Sequence, residues 1–552
     1  FFSLLYHIMR VVADLRYNIN RFDIAATVGW TGRYENMNNI RVSTNGGLVT
    51  ENWFDLNASR YTPSSTLQRM ELLKTGYMGT LSLEWDNYLF LELTGRQERS
   101  STLKDQSFFY PSANLSFLFT QAFHMPSWWN YGKLRLSYGI VGNAPETYTA
   151  NIVYEQGSDN GFTWNTIPSS WGNADIRPEK KYEYEIGLES KFLNNRLGID
   201  VSYYNNRVKD QILSTPQPST SGVKNVLMNV GEVANHGWDI SISATPILTR
   251  DFRWDLTANY GVYKNKVVKL ADGVPYLEIL NSGGSGIKIQ AVEGQPMGDI
   301  YAQVPQVNEN GEYLVSDKGL YLNQTELQKV GNINPAGVGG LFNSFSYKNV
   351  FLDFSIDFRI GGDVINEMNQ YATAVGLTPE SLKYRDTEHG GLSYYYPGDN
   401  NSSGIPVQVD PSTGAGPNGE IIYHDGIILP GVVASTGERN TRIIPAGYYY
   451  NTTYNWGTEA EQLTYRHSVF DNSYVKLREL TIGYQFPEKI ISKLGLGRLS
   501  VSVFGRNLFY FYKALKNYDA ESSVGTSWAN QATVGSSTTA TRSFGVSLRA
   551  SF

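Results

Sequence analysis

Hydrophobic and polar residues alternate along many stretches of this chain, and such alternation predicts β-strands with one apolar and one polar face. The pattern is clearest at the end of the sequence, where Phe544, Val546, Leu548, Ala550 and Phe552 share one face. Small or polar residues fill the positions between them. A strand of this kind suits a β-barrel with lipid outside and water inside, and it also fits the last strand of a soluble β-sandwich.

The alternation predicts about fifteen antiparallel strands, several of them joined by tight turns of the kind that closes β-hairpins. Three such turns are Asn20-Arg21, Asp86-Asn87 and Asn194-Asn195. The predicted strands cover residues 11–20, 21–33, 76–85, 89–96, 110–120, 133–141, 182–189, 197–204, 238–246, 252–262, 340–348, 350–360, 474–486, 498–511 and 544–552.

The connections between the predicted strands alternate between short turns and extended segments. The extended segments cover residues 34–69, 142–180, 213–236, 266–339, 361–473 and 512–540. Outer-membrane barrels have short periplasmic turns and longer extracellular loops, whereas a soluble sandwich has no reason to keep this alternation. The sequence therefore predicts an all-β fold, a transmembrane antiparallel β-barrel surrounded by the lipid of the outer membrane.

An odd number of strands has a consequence, because bacterial single-chain barrels contain an even number and keep both ends in the periplasm. The first and the last predicted strand both run toward the periplasmic side, so we expect at least one further strand before Phe1. The first ten residues also lack an initiating methionine and the features of a signal peptide. We therefore expect residues 1–552 to be the carboxy-terminal part of a single, larger barrel.

The composition excludes several other classes of protein. The 552 residues include 46 basic and 52 acidic side chains, a net charge of −6. Because no long basic stretch is present, nucleic acid is not an expected partner. The sequence contains no run of about 18 apolar residues, which excludes a helical membrane protein. The absence of cysteine excludes thiol nucleophiles, disulfide bonds and cysteine-ligated metals.

Several motifs follow one another along nearly the whole chain. They are Phe109-Tyr110-Pro111-Ser112, residues 134–143 (LRLSYGIVGN), Ile176-Arg177-Pro178-Glu179-Lys180, residues 229–240 (NVGEVANHGWDI), residues 473–484 (SYVKLRELTIGY), residues 505–509 (GRNLF) and Asp519-Ala520-Glu521. Their order and spacing resemble those of SusC/RagA-like TonB-dependent transporters of the outer membrane. The chain departs from the family pattern at Glu98 and Arg99, where Asp-Gly is usual, and at Ala520, where proline is usual.

The resemblance implies a barrel of roughly 22 strands around an amino-terminal plug, so that the plug and the first strands are absent from this chain. It also implies active import of oligosaccharides or peptides, with the TonB complex acting through the absent amino-terminal part. A SusD-like surface lipoprotein would cover the extracellular mouth as a lid, and the assembly would be a dimer of barrel-lid pairs. The resemblance implies no cofactor and no enzymatic activity.

Two alternatives stay open at this point. A TonB-dependent siderophore or cobalamin receptor would share the barrel but would close by a loop movement, without a lipoprotein lid. A secreted sugar-binding or sugar-cleaving β-protein would be soluble without detergent, and a cleaving protein would show measurable hydrolysis.

Aromatic residues in the longest predicted connection are candidates to line a ligand site, because their rings stack on sugar faces and their hydroxyl groups form hydrogen bonds. The alternative is that these rings pack the connection against itself or against a lid. The candidates are Tyr394, Tyr395, Tyr396, Tyr448, Tyr449, Tyr450, Tyr454 and Trp456. Tyr182, Tyr184 and Trp254, in contrast, fit a lipid-facing aromatic girdle.

Charged residues occupy the polar face of two predicted hairpins. They are Glu183, Glu185, Glu189, Asp353, Asp357 and Arg359. Carboxylates at alternate positions are typical of a hydrated barrel interior, so we expect no catalytic carboxylate pair of the glycosidase type. The six histidines are scattered and form no H-E-x-x-H motif, so we expect no metal site either.

Overall fold

The computed structural model describes residues 2–104, 107–159, 162–217, 219–282, 286–398, 404–455, 464–492, 495–523, 527–535 and 539–551. The chain divides into two compact units. The first unit comprises residues 1–243 and 263–275, and the second comprises residues 244–262 and 276–552. Both consist mainly of long β-strands and the segments that connect them.

Nine long strands lie wholly or mainly in the first unit. They are β1 (Phe2–Ile19), β2 (Phe22–Leu48), β3 (Ser59–Trp85), β4 (Leu89–Ser100), β5 (Ser107–Phe117), β6 (Trp129–Asn143), β7 (Glu179–Phe192), β8 (Leu197–Lys209) and β9 (Glu232–Leu248). Their order in the sheet follows the chain, and the pairings from β1 to β8 are antiparallel. This is the succession of hairpins that the alternation predicts.

Six long strands lie wholly or mainly in the second unit. They are β10 (Phe252–Lys269), β11 (Gly337–Tyr347), β12 (Val350–Ile360), β13 (Tyr474–Gln485), β14 (Arg498–Lys513) and β15 (Ser543–Ser551). They also pair antiparallel and in chain order. The predicted all-β class and its fifteen principal strands are therefore confirmed among the described residues.

The tight turns lie where the sequence predicts them. Asn20 has a φ of 52°, and Asp86 and Asn87 have φ values of 52° and 60°. Asn194 and Asn195 are left-handed as well, at 58° and 62°. Asn and Asp tolerate this backbone region better than other non-glycine residues, which explains why they occupy the hairpin turns.

The apolar face of the long strands is strongly exposed. In β15, the exposed fractions of Phe544, Val546 and Leu548 are 73%, 72% and 70%. In β7, Ile186 and Leu188 are 47% and 44% exposed. A soluble antiparallel sheet buries its apolar face, whereas strands that face lipid present that face to the outside.

The prediction that residues 34–69 form an extended connection is wrong in part. Strand β2 continues to Leu48 and pairs with β3 as far as Ser59, well beyond the last β3-β4 pair at Lys74 and Ser100. Residues 41–43 of this projecting hairpin are exposed on both faces. A strand with water on both sides needs no alternation, so the pattern gave no signal there.

The remaining connections, both long and short, contain short elements of their own. Those of the first unit are helix α1 (Phe119–Ala122) and strands Glu155–Asp159, Phe162–Thr166, Ser170–Trp171, Ile212–Pro216 and Asn225–Asn229. Those of the second unit are helices α2 (Glu367–Ala374), α3 (Ala446–Tyr454) and α4 (Glu488–Ile491), with strands Tyr276–Ser282, Ile287–Val292, Asp299–Ala302, Leu314–Val315, Gln328–Asn332, Asp363–Ile365, Leu392–Tyr395, Val407–Gln408, Tyr423–Ile427, Val432–Val433, Ile444–Pro445 and Val469–Asp471. Short 3₁₀ turns occupy Leu56–Ala58, Ser219–Ser221, Pro379–Leu382, Tyr465–Ser468 and Asn530–Ala532.

Three connections of the second unit share a hydrophobic core. We call residues 276–336, 361–473 and 514–542 together the loop body. A buried cluster among its described residues joins Ile287, Ile365, Tyr465 and Ala532, which come from all three connections. The described parts of these three connections are therefore folded around a common core. No described helix of the chain is long and apolar enough to cross a membrane.

Candidate functional site

Three of the sequence motifs meet at the loop end of β13 and β14, the end from which the long connections leave. Arg478 is at the centre, and its Nε donates to the Asp357 carboxylate at 2.5 Å. Its Nη1 donates to Asn507 Oδ1 at 2.8 Å and to Glu521 at 2.9 Å, and its Nη2 donates to the other Glu521 oxygen. We call Asp357, Arg478, Asn507 and Glu521 the Arg478 network.

Lys476 extends the Arg478 network into the protein interior. Its side chain is only 2% exposed, and its ammonium group forms an ion pair with Glu521. Burial raises the pKa of the Glu521 carboxyl, but hydrogen bonds from Arg478 and Lys476 outweigh burial and lower the pKa below its usual value. Glu521 is therefore ionised at neutral pH and balances part of the positive charge on two strand residues.

Asp519 ties the same segment to the strands. It accepts a hydrogen bond from the Tyr510 hydroxyl at 2.5 Å and another from the backbone N–H of Ala540 at 2.8 Å. Burial raises the pKa of Asp519, but these hydrogen bonds lower it overall. The motif Asp519-Ala520-Glu521 therefore anchors the connection 514–542 through both of its carboxylates.

Motif residues of the first unit hold two connections together at the loop end of β7 and β8, an arrangement that we call the clamp. The Asn229 amide donates to the backbone carbonyls of Arg177 at 2.7 Å and of Asp210 at 3.0 Å, and its oxygen accepts from the Arg177 N–H at 2.7 Å. The Glu179 carboxylate accepts from the backbone N–H of Ile212 at 2.8 Å. These bonds fix the bases of the connections 144–178 and 210–231.

Three of the predicted ligand-lining tyrosines are buried inside the loop body. Tyr394, Tyr396 and Tyr450 are 1%, 6% and 6% exposed. The Tyr394 ring stacks on Tyr423 at 5.5 Å, and the Tyr450 hydroxyl donates to the backbone carbonyl of Glu380 at 2.8 Å. Burial raises the pKa of Tyr450 to about 12. In this conformation these three rings pack the connection against itself, as the packing alternative predicts.

Four other candidates, Tyr395, Tyr448, Tyr449 and Tyr454, are partly exposed. The Tyr449 ring lies 5.1 Å from Tyr450 and 6.2 Å from Tyr454. These four rings stay candidates to contact a ligand. The remaining candidate, Trp456, lies outside the described residues.

The structure adds aromatic residues that the sequence pattern did not indicate. Tyr321 and Tyr384 pack with Tyr448 and Tyr449 on one small core of the loop body. Tyr313 extends this group, since its ring lies 5.1 Å from that of Tyr321. They come from distant parts of the chain and from no common motif, so only folding of the loop body reveals the group.

His467 closes this aromatic cluster, with its ring stacked on Tyr454 at 4.5 Å. Loss of hydration, helped by the charge of Arg466, lowers the pKa of His467 to about 4 from its ordinary value of 6.5. The imidazole is therefore neutral at pH 7. Protonation must oppose the stacked arrangement, because a charged ring needs hydration that the cluster does not provide.

We expect acidification to loosen the loop body around His467. The folded pKa is lower than the unfolded one, so the stabilisation is complete above pH 6.5 and is lost as the pH falls toward 4, by at most about 3 kcal/mol. The loosening is measured as a loss of protection from hydrogen exchange in residues 446–455 and 464–471 between pH 7 and pH 4.5, relative to the intrinsic exchange rate at each pH. His467→Phe keeps the ring stack without a titratable group, so equal acid-induced exchange in this variant would contradict the assignment.

The charged residues of β7 lie on the face opposite to Ile186 and Leu188. The Glu183 carboxylate pairs with Lys181 at 2.5 Å, and Glu189 lies 3.5 Å from Arg135. The polar face of β7 therefore carries acidic side chains that pair with neighbouring basic ones.

The charged residues of β12 bond to neighbouring protein groups. Asp353 accepts from the Ser344 hydroxyl at 2.6 Å, and Asp357 belongs to the Arg478 network. Arg359 donates to the backbone carbonyls of Gly361 at 3.2 Å and Ile333 at 3.0 Å. Within the ranges that the structure describes, no group of three or more histidines and carboxylates is placed to hold a metal ion.

A family model described as TonB dependent receptor-like, beta-barrel, matches residues 9–287. TonB-dependent receptor P3 of Formosa agariphila is 24% identical over 494 residues, which are 81% of this chain and 42% of that protein. TonB-dependent receptor SusC of Bacteroides thetaiotaomicron is 30% identical over 247 residues, which are 41% of this chain and 24% of that protein. The chain thus spans less than half the length of these relatives.

The fold is also similar to that of a solved structure of the RagAB peptide transporter. The TM-score is 0.68 at 18% identity, and the match covers 92% of this chain and 52% of that chain. A structure of the RagAB peptide importer in an open state gives a TM-score of 0.67 with the same identity. With the family match across half of its length, the SusC/RagA-like character predicted from the motifs is confirmed, and the chain belongs to the TonB-dependent receptor-like β-barrel family.

Proposed function

We propose that this chain is the carboxy-terminal part of an outer-membrane importer that TonB energises and that a SusD-like surface lipoprotein covers as a lid. The observation that carries the proposal is the family match, together with strands whose apolar face is exposed. The importer moves its substrate through the membrane and does not change it covalently. We propose that the fifteen strands belong to a barrel of roughly 22 strands.

The loop body supports a separate lid over closure by the chain's own loops. A loop that closes over a ligand must open at low cost, so it has few buried contacts. Here the connections share the core around Ile287 and Ile365, and Glu521 and Asp519 pin the last of them. We therefore propose that a separate protein, rather than these connections, covers the mouth.

Oligosaccharides or peptides are the substrates we propose. The name of one similar solved structure, the RagAB peptide transporter, supports peptides. The resemblance to SusC/RagA-like transporters implies oligosaccharides as well as peptides. The partly exposed rings of Tyr395, Tyr448, Tyr449 and Tyr454 would contact the substrate from the loop body, because aromatic faces stack on sugar rings and apolar side chains alike. Glu183, Glu185 and Glu189 would line the hydrated interior.

The test is to extract the whole protein from its native outer membrane in mild detergent and to identify the co-purifying proteins by mass spectrometry. We expect one SusD-like lipoprotein in stoichiometric amount, and in larger assemblies two barrels with two lids. A barrel that is repeatedly isolated alone, with its long connections intact, would overturn the lid. It would favour a siderophore-type receptor, for which binding of iron chelates is the next measurement.

A further inference from the structure

Three basic side chains lie together on the exposed apolar face of the first unit. Lys180 of β7 stands directly opposite Lys209 of β8, and Tyr182 stands opposite Arg207. Directly paired residues of an antiparallel sheet project to the same side, and β7 positions of even number carry Ile186 and Leu188 on that side. We call Lys180, Arg207 and Lys209 the basic patch.

The charges of the basic patch are only partly compensated. Glu232 pairs with both Arg207, at 3.1 Å, and Lys209, at 3.9 Å. The neighbouring Asp210 pairs with Arg177, at 3.4 Å. Like charges directly opposite each other destabilise a sheet, and Lys180 and Lys209 are such a pair. Among the described residues, Glu232 is the carboxylate paired with Arg207 and Lys209, and Lys180 adds a third cation beside them. The patch therefore has an excess of positive charge, which a bound anion would relieve.

The position of the basic patch indicates the kind of anion. An aromatic group lies on the same face, farther from the long connections than the patch. It consists of Tyr184, Tyr203 and Trp238, and the ring centres of Tyr203 and Trp238 are 4.9 Å apart. The Lys209 ammonium lies 5.9 Å from the centre of the Tyr182 ring, so the aromatic and basic residues are contiguous. Aromatic belts mark the boundary between the hydrocarbon and the headgroups. The patch therefore lies at headgroup level, next to the long connections.

We propose that Lys180, Arg207 and Lys209 bind a phosphate group on the headgroup of a lipid A-type glycolipid of the outer leaflet. This inference rests on the proposed function, because that function places the long connections on the cell surface. The guanidinium of Arg207 offers two parallel N–H donors to phosphate oxygens, and two flanking ammonium groups add point charges. The Arg207 and Lys209 side chains are 56% and 46% exposed, so a headgroup can reach them.

The test measures lipid that remains on the detergent-purified whole protein, by mass spectrometry, for the natural protein and for the triple variant K180Q/R207Q/K209Q. Titration then uses phosphorylated lipid A, the same lipid A after phosphatase treatment, and phosphatidylglycerol. Each neutralised cation is expected to weaken binding about fivefold, so the triple variant binds phosphorylated lipid A about a hundredfold more weakly. The natural protein prefers the phosphorylated over the dephosphorylated glycolipid.

A control triple variant, K489Q/R498Q/K516Q, removes the same charge from exposed positions of the second unit. It is expected to keep natural lipid binding. Equal binding of both lipid A forms, or undiminished binding by the patch variant, would overturn the proposal. Equal binding of phosphatidylglycerol would overturn the glycolipid as the source of the phosphate. If the triple variant does not fold, the single variant Lys180→Gln tests the proposal instead, and we expect it to bind phosphorylated lipid A about fivefold more weakly.

The membrane that contains the protein is determined first, by fractionation of the cells. A protein absent from the outer membrane would refute the proposed function, whereas phosphate-selective binding in the titration would still support the patch. A lidded importer in the outer membrane without phosphate-selective binding would refute the patch alone.

Discussion

Replacement of Arg478 by methionine is expected to lower the free energy of unfolding by about 2 kcal/mol and to release the connection 514–542 from the strands. Methionine keeps most of the chain length but removes the donors to Asp357, Asn507 and Glu521. Two carboxylates then stay in a partly buried place with fewer partners. The midpoint of thermal unfolding and the rate of proteolytic cleavage within 514–542 measure both effects.

Arg506→Met is the matched control, because it removes an arginine from the neighbouring strand. Arg506 pairs with Glu479 at 3.1 Å, but its side chain is 58% exposed. Exposed ion pairs contribute less than about 1 kcal/mol, so this variant should unfold and be cleaved nearly as the natural protein is. If both variants behaved alike, the Arg478 network would not be what anchors the connection.

Asn229→Ala is expected to cost about 2 to 3 kcal/mol and to loosen two connections of the first unit together. The alanine removes three hydrogen bonds to the backbone of Arg177 and Asp210 and leaves those groups without their partner. Hydrogen exchange should therefore increase in residues 171–178 and in residues 210–216. The two increases should appear together, because one side chain ties both segments.

Asn165→Ala provides the comparison, since Asn165 lies in an exposed strand of the same connection. This change should alter the stability by less than about 0.5 kcal/mol. Faster exchange in only one of the two segments after Asn229→Ala would contradict the clamp. It would mean that the segments are held independently.

The long strands were predictable because lipid on one side and water on the other impose a period of two on the sequence. Strand β12 shows this well, since its predicted and observed bounds, 350–360, coincide. The same reasoning failed for residues 34–48, the part of β2 that leads into the projecting hairpin, because residues 40–43 are exposed on both faces there. Alternation of apolar and polar residues arises only where the two faces of a strand lie in different environments, so it cannot predict a strand that has water on both faces.

The loop body could not be predicted because its core joins segments that are distant in the chain. The sequence around Ile287, Ile365 and Ala532 contains no local pattern that predicts their contact. For the same reason Tyr394 could not be distinguished from Tyr395, although one is buried and the other is partly exposed. The motifs were visible in the sequence, but their role was not, since Arg478 and Glu521 meet only in the folded protein.

The shared core of the loop body also sets the order in which the protein can mature. Ala529 and Ala532 complete a cluster that also contains Ile287, so the cluster cannot form before the connection 514–542 is in place. Contacts of such high sequence separation form late, because the entropy of closing a long segment is lost before the contacts compensate for it. We therefore expect the loop body to reach its final structure only after the strands on both sides of residues 514–542 have paired. Until then the apolar residues of the incomplete cluster stay accessible to proteases, which cleave segments that have not yet folded.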